Sequence, residues 1–479
     1  MLVRTRETTN AVIRSPGLEF PQMPRGSARR MSSARGIARV LNESLVCSLL
    51  ASAMIVWATP AGAQAFPVPA ANGSQNKGEN GEMAKSAIDL TLTYNSDLNA
   101  DLAGGQRAGG AYLQRLGLIA DVSLADAVGW QGAKLHASVH AINGTGLSGH
   151  FVGNLLTVSG LEAEPALRLF NLWVEEDLGN GASLRVGQFT AAQEFMISGT
   201  ATLFVNSTFG WPGSFATDLP SGGPAYPLAA PGIRFSGKVG HSITIRLALF
   251  AGDPAGPGSG DPQRRDVHGF NGVRLHGAPF VIGEIARDFR GAVPFSLVVG
   301  GWAHFGRFLD VRSVEFQDLS SAAPAGVAHR YQGNFALYAL GDVRLLQNGR
   351  RSLHGFIRGS ASPSDRNPID LYFDTGLSLQ APLRSRPDDK VGLALAAARI
   401  SPQLRSGDQL LHGAVARIVP SFEAALEISY QFKLNSHAYL EPNVQWIIHP
   451  AGDVVAPQTG SAGAEHHALI AGVRTSATF

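Results

Sequence analysis

From Ile88 onward, apolar and polar residues alternate along the chain with a period of two. Ile88, Leu90, Leu92 and Tyr94 alternate with Asp89, Thr91 and Thr93. Ile243, Ile245, Leu247 and Leu249 alternate with Thr244, Arg246 and Ala248. Phe422, Leu426, Ile428 and Tyr430 alternate with Glu423, Glu427, Ser429 and Gln431, and Leu440, Val444, Trp446 and Ile448 with Glu441, Asn443 and Gln445. Successive side chains of a strand point to opposite faces, so each segment has one apolar and one polar wall. The pattern predicts sixteen strands: 87–95, 111–124, 133–142, 167–178, 183–190, 230–239, 242–252, 276–289, 294–308, 330–345, 351–361, 370–381, 389–401, 420–432, 437–449 and 466–479. Alternation is interrupted in 230–239 and 276–289.

The connections carry a second pattern. Short links at 179–182, 240–241, 290–293 and 433–436 alternate with long ones at 143–166, 191–229, 253–275, 309–329 and 450–465. A soluble sandwich has no reason to gather its long loops at one end of every hairpin. A transmembrane antiparallel β-barrel of about 16 strands does, with short periplasmic turns and long extracellular loops. In such an all-β fold the apolar wall meets lipid and the polar wall lines a lumen. Sixteen strands leave room for an aqueous channel, whereas eight would fill with side chains.

Composition sharpens this picture. Charged residues make up 16% of the chain, against about 25% in soluble proteins, and Gly (56) and Pro (27) are plentiful, as frequent turns require. A formal charge of +2 argues against a dedicated nucleic-acid binder. The net positive excess sits in the first 63 residues, which hold eight Lys/Arg and three Asp/Glu, and the remainder is slightly acidic.

Those first residues read as a leader. Met31 opens a secretory signal, with Arg35 and Arg39 as its positive region and Leu45 to Trp57 as its apolar core. Ala61-Gly62-Ala63 or Ala63-Gln64-Ala65 offers small-residue cleavage. The organisation expected is an extension plus signal over 1–65 with its true start at Met31, a flexible periplasmic segment over 66–86, and the barrel over 87–479. Cys47, the single cysteine, falls inside the leader without a lipidation context, so the exported chain has neither thiol nor disulfide. The chain ends at Phe479, with Leu469, Ala471, Val473, Thr475 and Ala477 on the same face. A terminal aromatic with this spacing suits recognition by the outer-membrane barrel assembly machinery.

Several stretches then stand out: Phe204-Val205-Asn206-Ser207-Thr208-Phe209-Gly210-Trp211-Pro212, and Leu219-Pro220-Ser221-Gly222-Gly223-Pro224-Ala225-Tyr226-Pro227 followed by Ala230-Pro231-Gly232-Ile233-Arg234. With them go Gly149-His150-Phe151-Val152-Gly153-Asn154, Val186-Gly187-Gln188-Phe189, Glu194-Phe195 and Gly252-Asp253-Pro254-Ala255-Gly256-Pro257. In these the chain resembles the carbohydrate-selective porins of the OprB type, from about Thr93 to the C-terminus and most strongly between 110 and 270. The resemblance implies a Gram-negative outer-membrane porin whose long loops fold inward and narrow the pore. It also implies passive diffusion of glucose, other monosaccharides and polyols, with outer-membrane lipid and lipopolysaccharide around the barrel.

The 191–229 loop is the candidate constriction: long, rich in Gly, Pro and aromatics, with Glu194 and Asp218 as its ionised groups. Phe209 and Trp211 are candidates to stack on sugar rings, and Asn206 and Glu194 to bond hydroxyls, a mixture suited to small polar solutes. The plain alternative is that the aromatics pin the loop to the wall. Strand parity points Arg115, Trp173, Glu175, Arg185 and Arg246 into the lumen from the first half, and Glu423, Glu427 and Glu441 from the far side. Opposed basic and acidic walls would set up a transverse field favouring neutral polyhydroxyl solutes. Ion pairs bracing the wall are the alternative.

No catalytic site, metal or cofactor is expected. Gly144 to Gly149 fits GxGxxG, but the preceding strand carries Lys134, His136, Ser138 and His140 on one face, unlike a buried parallel strand. His449, His466 and His467 near Glu465 lack a short ligand motif. Other functions left open are a non-selective diffusion porin, a secreted sugar-binding β protein and an outer-membrane enzyme, though no GxSxG occurs. The sequence leaves self-association into a homo-oligomer open.

Overall fold

The computed structural model describes residues 87–270, 275, 277–312, 329–406, 420–452 and 467–479. The leader and the histidine–glutamate pair His466 and Glu465 lie outside the described residues. The first eight strands are β1 (Ile88–Gly104), β2 (Gly109–Ser123), β3 (Ala133–Gly144), β4 (Ala166–Gly179), β5 (Ala182–Phe189), β6 (Ala230–Val239), β7 (Ile243–Ala251) and β8 (Pro279–Phe289). They are followed by β9 (Phe295–Leu309), β10 (Arg330–Asn348), β11 (Arg351–Ala361), β12 (Ile369–Gln380), β13 (Lys390–Ile400), β14 (Phe422–Lys433), β15 (Ala438–Ile448) and β16 (His467–Thr478).

Every strand pairs antiparallel with its sequence neighbours, and β1 pairs with β16, so the sheet closes into a barrel. Closure leaves no strand edge unpaired, which a hydrocarbon surround requires. The last residue helps to seal the seam. Phe479 N–H donates to the Leu92 carbonyl at 2.8 Å, and Leu92 N–H donates to the Phe479 carbonyl at 3.0 Å.

The alternation becomes an outside and an inside. Leu118, Val186, Leu247, Val299, Leu337, Ile357, Leu393 and Ile428 are exposed on the outer wall, while Glu284, Arg358, Asp374 and Glu427 are buried inside. Short turns collect at one end. Between β4 and β5, Asn180 and Gly181 both take positive φ (54° and 75°), as a tight two-residue hairpin demands. Long connections collect at the other end. Among the described residues no helix is long and apolar enough to cross a membrane.

The interior explains where those long loops go. Sixteen strands enclose more space than side chains alone can fill. The connections 145–165 and 190–229 enter it and supply much of its packing. Phe195, Phe215 and Trp211 pack with Phe280, Trp302 and Tyr338 of the wall. Phe204 and Phe209 pack with Phe356, Tyr372 and Ile447. The hydrophobic core thus lies within the barrel, between loop and wall, with one cluster against β4–β10 and another against β2 and β11–β16.

Among the boundaries that differ from the pattern, two have a clear cause. The first strand runs to Gly104 rather than Asn95. Beyond Asn95 the inward residues Asp97, Asn99 and Asp101 still alternate, but their outward neighbours include the small Ser96 and Ala100, which mask the apolar period. The interrupted segment 276–289 begins as a strand at Pro279, and its break in alternation is Gly283, paired with Gly301 and Leu247. The GxGxxG segment ends β3 and leads into a π-turn at Ser148–Val152, not the α-helix that a dinucleotide site needs.

Candidate functional site

The site begins with strand register. Lys134 on β3 lies opposite Glu175 on β4, Glu175 opposite Arg185 on β5, and Arg185 opposite Arg234 on β6. All four face inward, so one row of charges crosses four strands. Glu194, from the start of the 190–229 loop, completes the group. Arg185 donates to Glu175 through Nη2 at 2.6 Å and to Glu194 through Nη1. Arg234 donates to Glu175 at 2.6 Å, and its Nε lies 3.0 Å from Glu194. Lys134 Nζ is 3.6 Å from Glu175.

Trp173 shapes the same place. The Arg185 guanidinium lies 3.7 Å over its ring, and His136 stacks on it with centroids 4.7 Å apart. Gly187, opposite Trp173, makes this possible. Its φ is 144°, and a Cβ there would sit 2.3 Å from the Leu172 carbonyl oxygen and 2.8 Å from Trp173 Cβ. The side chains of Glu175, Arg185, Glu194 and Arg234 are 5–14% exposed. Two guanidiniums and two carboxylates therefore balance one another beside Trp173, and the half-exposed Lys134 adds one surplus positive charge to the row. Further round the wall, Arg246 Nη1 donates to Glu284 at 2.7 Å.

The opposite wall uses charge to hold the loops. Arg358 on β11, fully buried, pairs with Asp374 on β12. It also donates to the carbonyls of Met196, Thr208 and Phe209 at 2.9–3.1 Å. Glu427 accepts from Val205 and Asn206 N–H groups at 2.7 and 2.8 Å and from Ser429 Oγ at 2.5 Å. Asp342 accepts from Ser198 and Thr200 hydroxyls, both at 2.5 Å, and Glu284 from Met196 N–H at 3.0 Å. Glu423 accepts from Leu155, Leu156 and Ala451 N–H groups, tying down the 145–165 loop. The short helix Gly213–Asp218 docks through Asp218, which accepts from Ile369 N–H and Ser362 Oγ at 3.2 Å. Burial pushes the Asp218 carboxyl well above its ordinary pKa.

These contacts redistribute the roles expected from sequence. Arg185, Glu175, Trp173 and Glu194 meet in one place, Arg246 stands a few strands away, and Arg115 faces the lumen near Tyr226. Glu423 and Glu427 face inward, but they are roofed by loops and their oxygens are taken up by backbone N–H groups, so they are not presented to solute. Glu441 is likewise buried; it accepts from Gln431 at 3.0 Å and lies in register with Arg474. The expected transverse field is corrected accordingly. Phe209, 2% exposed, packs against Phe204 at 5.0 Å, and Trp211 packs edge-on to Phe215 at 5.2 Å; both pin the loop and offer no open stacking face. Asn206, fully buried, donates to the Leu156 carbonyl and to Gln445 at 3.0 Å, joining the two loops to the wall.

Sequence reading missed Lys134, Arg234, Arg358 and Asp342. Arg234 sits in the segment where Pro231 and Gly232 blur the alternation. Arg358 and Asp374 carried a usable signal, being opposite charges on the inward parity of adjacent strands.

Comparison with known proteins places this geometry. The description of the carbohydrate-selective porin, OprB family, matches residues 107–479. The chain belongs to the carbohydrate-selective porin family. Porin B of Pseudomonas aeruginosa is 20% identical over 437 residues, covering 84% of this chain and 90% of that protein. The high-pH structure of OprB from Pseudomonas putida superimposes with a TM-score of 0.70 at 18% identity, covering 82% of this chain and 94% of that one. The latter likeness establishes the shared fold. As a carbohydrate-selective porin, the chain forms a sixteen-stranded channel of the outer membrane, and Trp173 of its charged row belongs to the core that packs against the 190–229 loop.

Proposed function

We propose that this porin passes monosaccharides and related polyols by passive diffusion along the wall of β2–β7, with Trp173, Glu175, Arg185, Glu194 and Arg234 as its selective stretch. The observation that carries the reading is the charge balance of that row. Two guanidiniums and two carboxylates, already oriented by one another, exchange hydrogen bonds with sugar hydroxyls without attracting a counter-ion. Trp173, stacked between Arg185 and His136, holds the guanidinium in place. A solute rich in hydroxyls satisfies the row, whereas a simple ion does not. Arg246 extends the lining toward β7. Asn206, Phe209, Trp211, Glu423, Glu427 and Glu441 serve by keeping the loops folded inward.

Export belongs to the same proposal: a start at Met31, cleavage near Ala63 or Ala65, and delivery to the assembly machinery through the Phe479 strand. N-terminal sequencing of the mature protein tests it.

Liposome swelling tests the transport reading. Proteoliposomes should swell faster in glucose, other monosaccharides and glycerol-like polyols than in zwitterionic solutes of equal size. Swelling ranked by size alone would instead indicate a general diffusion porin.

A further inference from the structure

On the long-loop side of the balanced row, a second group of inward side chains has hydrogen-bonding capacity that the protein itself does not use. Arg115 on β2 lies opposite Ile142, and His140 on β3 lies opposite Arg168 on β4. Lys134, the extra cation beside the balanced quartet, opens β3 at its other end, about 20 Å of strand away from His140.

Arg115 differs from the other lumenal arginines. Arg185, Arg234, Arg246, Arg358 and Arg474 each hold a carboxylate. Arg115 has no ion pair among the described residues, and its buried Nε has no hydrogen-bond partner. Its guanidinium lies 5.2 Å over the ring of Tyr226, which descends from the 190–229 loop. The nearby acids are engaged elsewhere: Asp97 by Arg474 at 2.7 Å, and Asp266 by Arg168 at 3.8 Å.

The neighbouring side chains also carry unused hydrogen-bonding atoms. His140 Nδ1 and Asn171 Oδ1 are buried and have no partner. His140 stacks on Phe170 at 4.6 Å and lies 6.1 Å from the Tyr226 ring. A buried polar atom without a partner costs free energy that a bound group recovers. An arginine fork recognises a carboxylate in bidentate fashion, and an aromatic plate beside it receives a carbon chain or ring.

We infer that Arg115, Tyr226, His140 and Asn171 form a second solute subsite, ahead of the balanced row, that takes the carboxylate of a sugar acid such as gluconate. Arg115 binds the carboxylate, Tyr226 receives the carbon chain, and His140 and Asn171 meet its hydroxyls. The inference rests on the proposed passage of sugars through this part of the lumen. It adds a solute class that the neutral row alone would not favour.

Uptake of labelled gluconate and glucose into proteoliposomes tests it. Arg115→Gln should lower gluconate uptake by about threefold, the scale of a part-exposed ion pair, and leave glucose uptake nearly unchanged. Arg115→Lys should retain part of the gluconate uptake, because it keeps the charge and loses the fork. Unchanged gluconate uptake in Arg115→Gln, or an equal fall for glucose, overturns the subsite while leaving the porin reading intact. If wild-type protein passes neither solute, both readings fall. Should the Gln variant not insert, wild-type protein alone decides: gluconate should block potassium chloride current at lower concentration than glucose, and equal or weaker block overturns the subsite.

Discussion

The walls formed by β3–β6 and by β10–β14 both carry charged side chains on their inward faces, and they use them differently. On β10–β14, Asp342, Arg358, Asp374, Glu423 and Glu427 are consumed by backbone N–H groups, carbonyls and loop hydroxyls. On β3–β6, Lys134, Glu175, Arg185 and Arg234 meet one another and a single loop carboxylate. Inward parity alone therefore does not make a residue pore-lining. What decides is whether a loop reaches it first. A carboxylate that accepts two or three backbone N–H groups has become part of the scaffold, however polar its type.

This contrast predicts a graded series of effects. The largest belongs to Arg358. Arg358→Ala strips Asp374 of its partner and frees carbonyls of Met196, Thr208 and Phe209, a loss of ~3–5 kcal/mol for a broken buried pair. The 190–229 loop should leave the wall, single-channel conductance should rise, and discrimination among sugars should collapse. Heat-modifiable migration should show that the barrel still closes. An unchanged conductance would break the division between scaffold and lining.

Glu427 comes next. Glu427→Ala leaves the Val205 and Asn206 N–H groups and the Ser429 hydroxyl without an acceptor, at about 2 kcal/mol. Glu427→Gln keeps an acceptor oxygen and should cost less. Channel noise and protease sensitivity within 190–229 should both rise in the order wild type, Gln, Ala.

A lining residue should behave in the opposite way. Arg185→Ala should weaken sugar block of the current by about fivefold, or ~1 kcal/mol, through loss of its place over Trp173 and between two carboxylates. Stability of the barrel to heat should change little. A stability loss as large as that of Arg358→Ala would assign Arg185 to the scaffold.

The smallest effect concerns pH. Burial raises the Asp218 carboxyl above its unfolded value, so the folded loop binds this proton more tightly than the unfolded chain does. Its contribution to loop stability therefore falls as pH rises through the window above the ordinary Asp value. Asp218→Asn mimics the protonated form and keeps an acceptor for Ile369 N–H. The difference in protease resistance between pH 5 and pH 8 should shrink in this variant, by roughly 1 kcal/mol at most.

Much of the barrel was legible before the structure. Period-two alternation located all sixteen strands, because lipid on one side and water or polar packing on the other impose opposite chemistry on alternate residues. The parity of long and short links gave the orientation of the hairpins for the same reason. Where outward residues are small, as at Ser96 and Ala100, the period fades and β1 looked shorter than it is. The site was legible only in part. Glu175, Arg185 and Trp173 followed from parity, but parity cannot tell that Glu423 meets Leu155 or that Arg358 meets Thr208. Those contacts join residues far apart in sequence and depend on how the loops enter the lumen. Phe209 and Trp211 show the same limit: an aromatic in a Gly-rich loop packs equally well against a wall or a sugar until the loop is placed.

Single-channel current through the wild-type protein, recorded while glucose is titrated from both sides, tests the central claim most directly. If sugars pass along the row of Glu175, Arg185, Glu194 and Arg234, the current should fall in a saturable manner and recover when glucose is removed. A decline no greater than solution viscosity explains, linear in glucose and unaltered by Arg185→Ala, would contradict it.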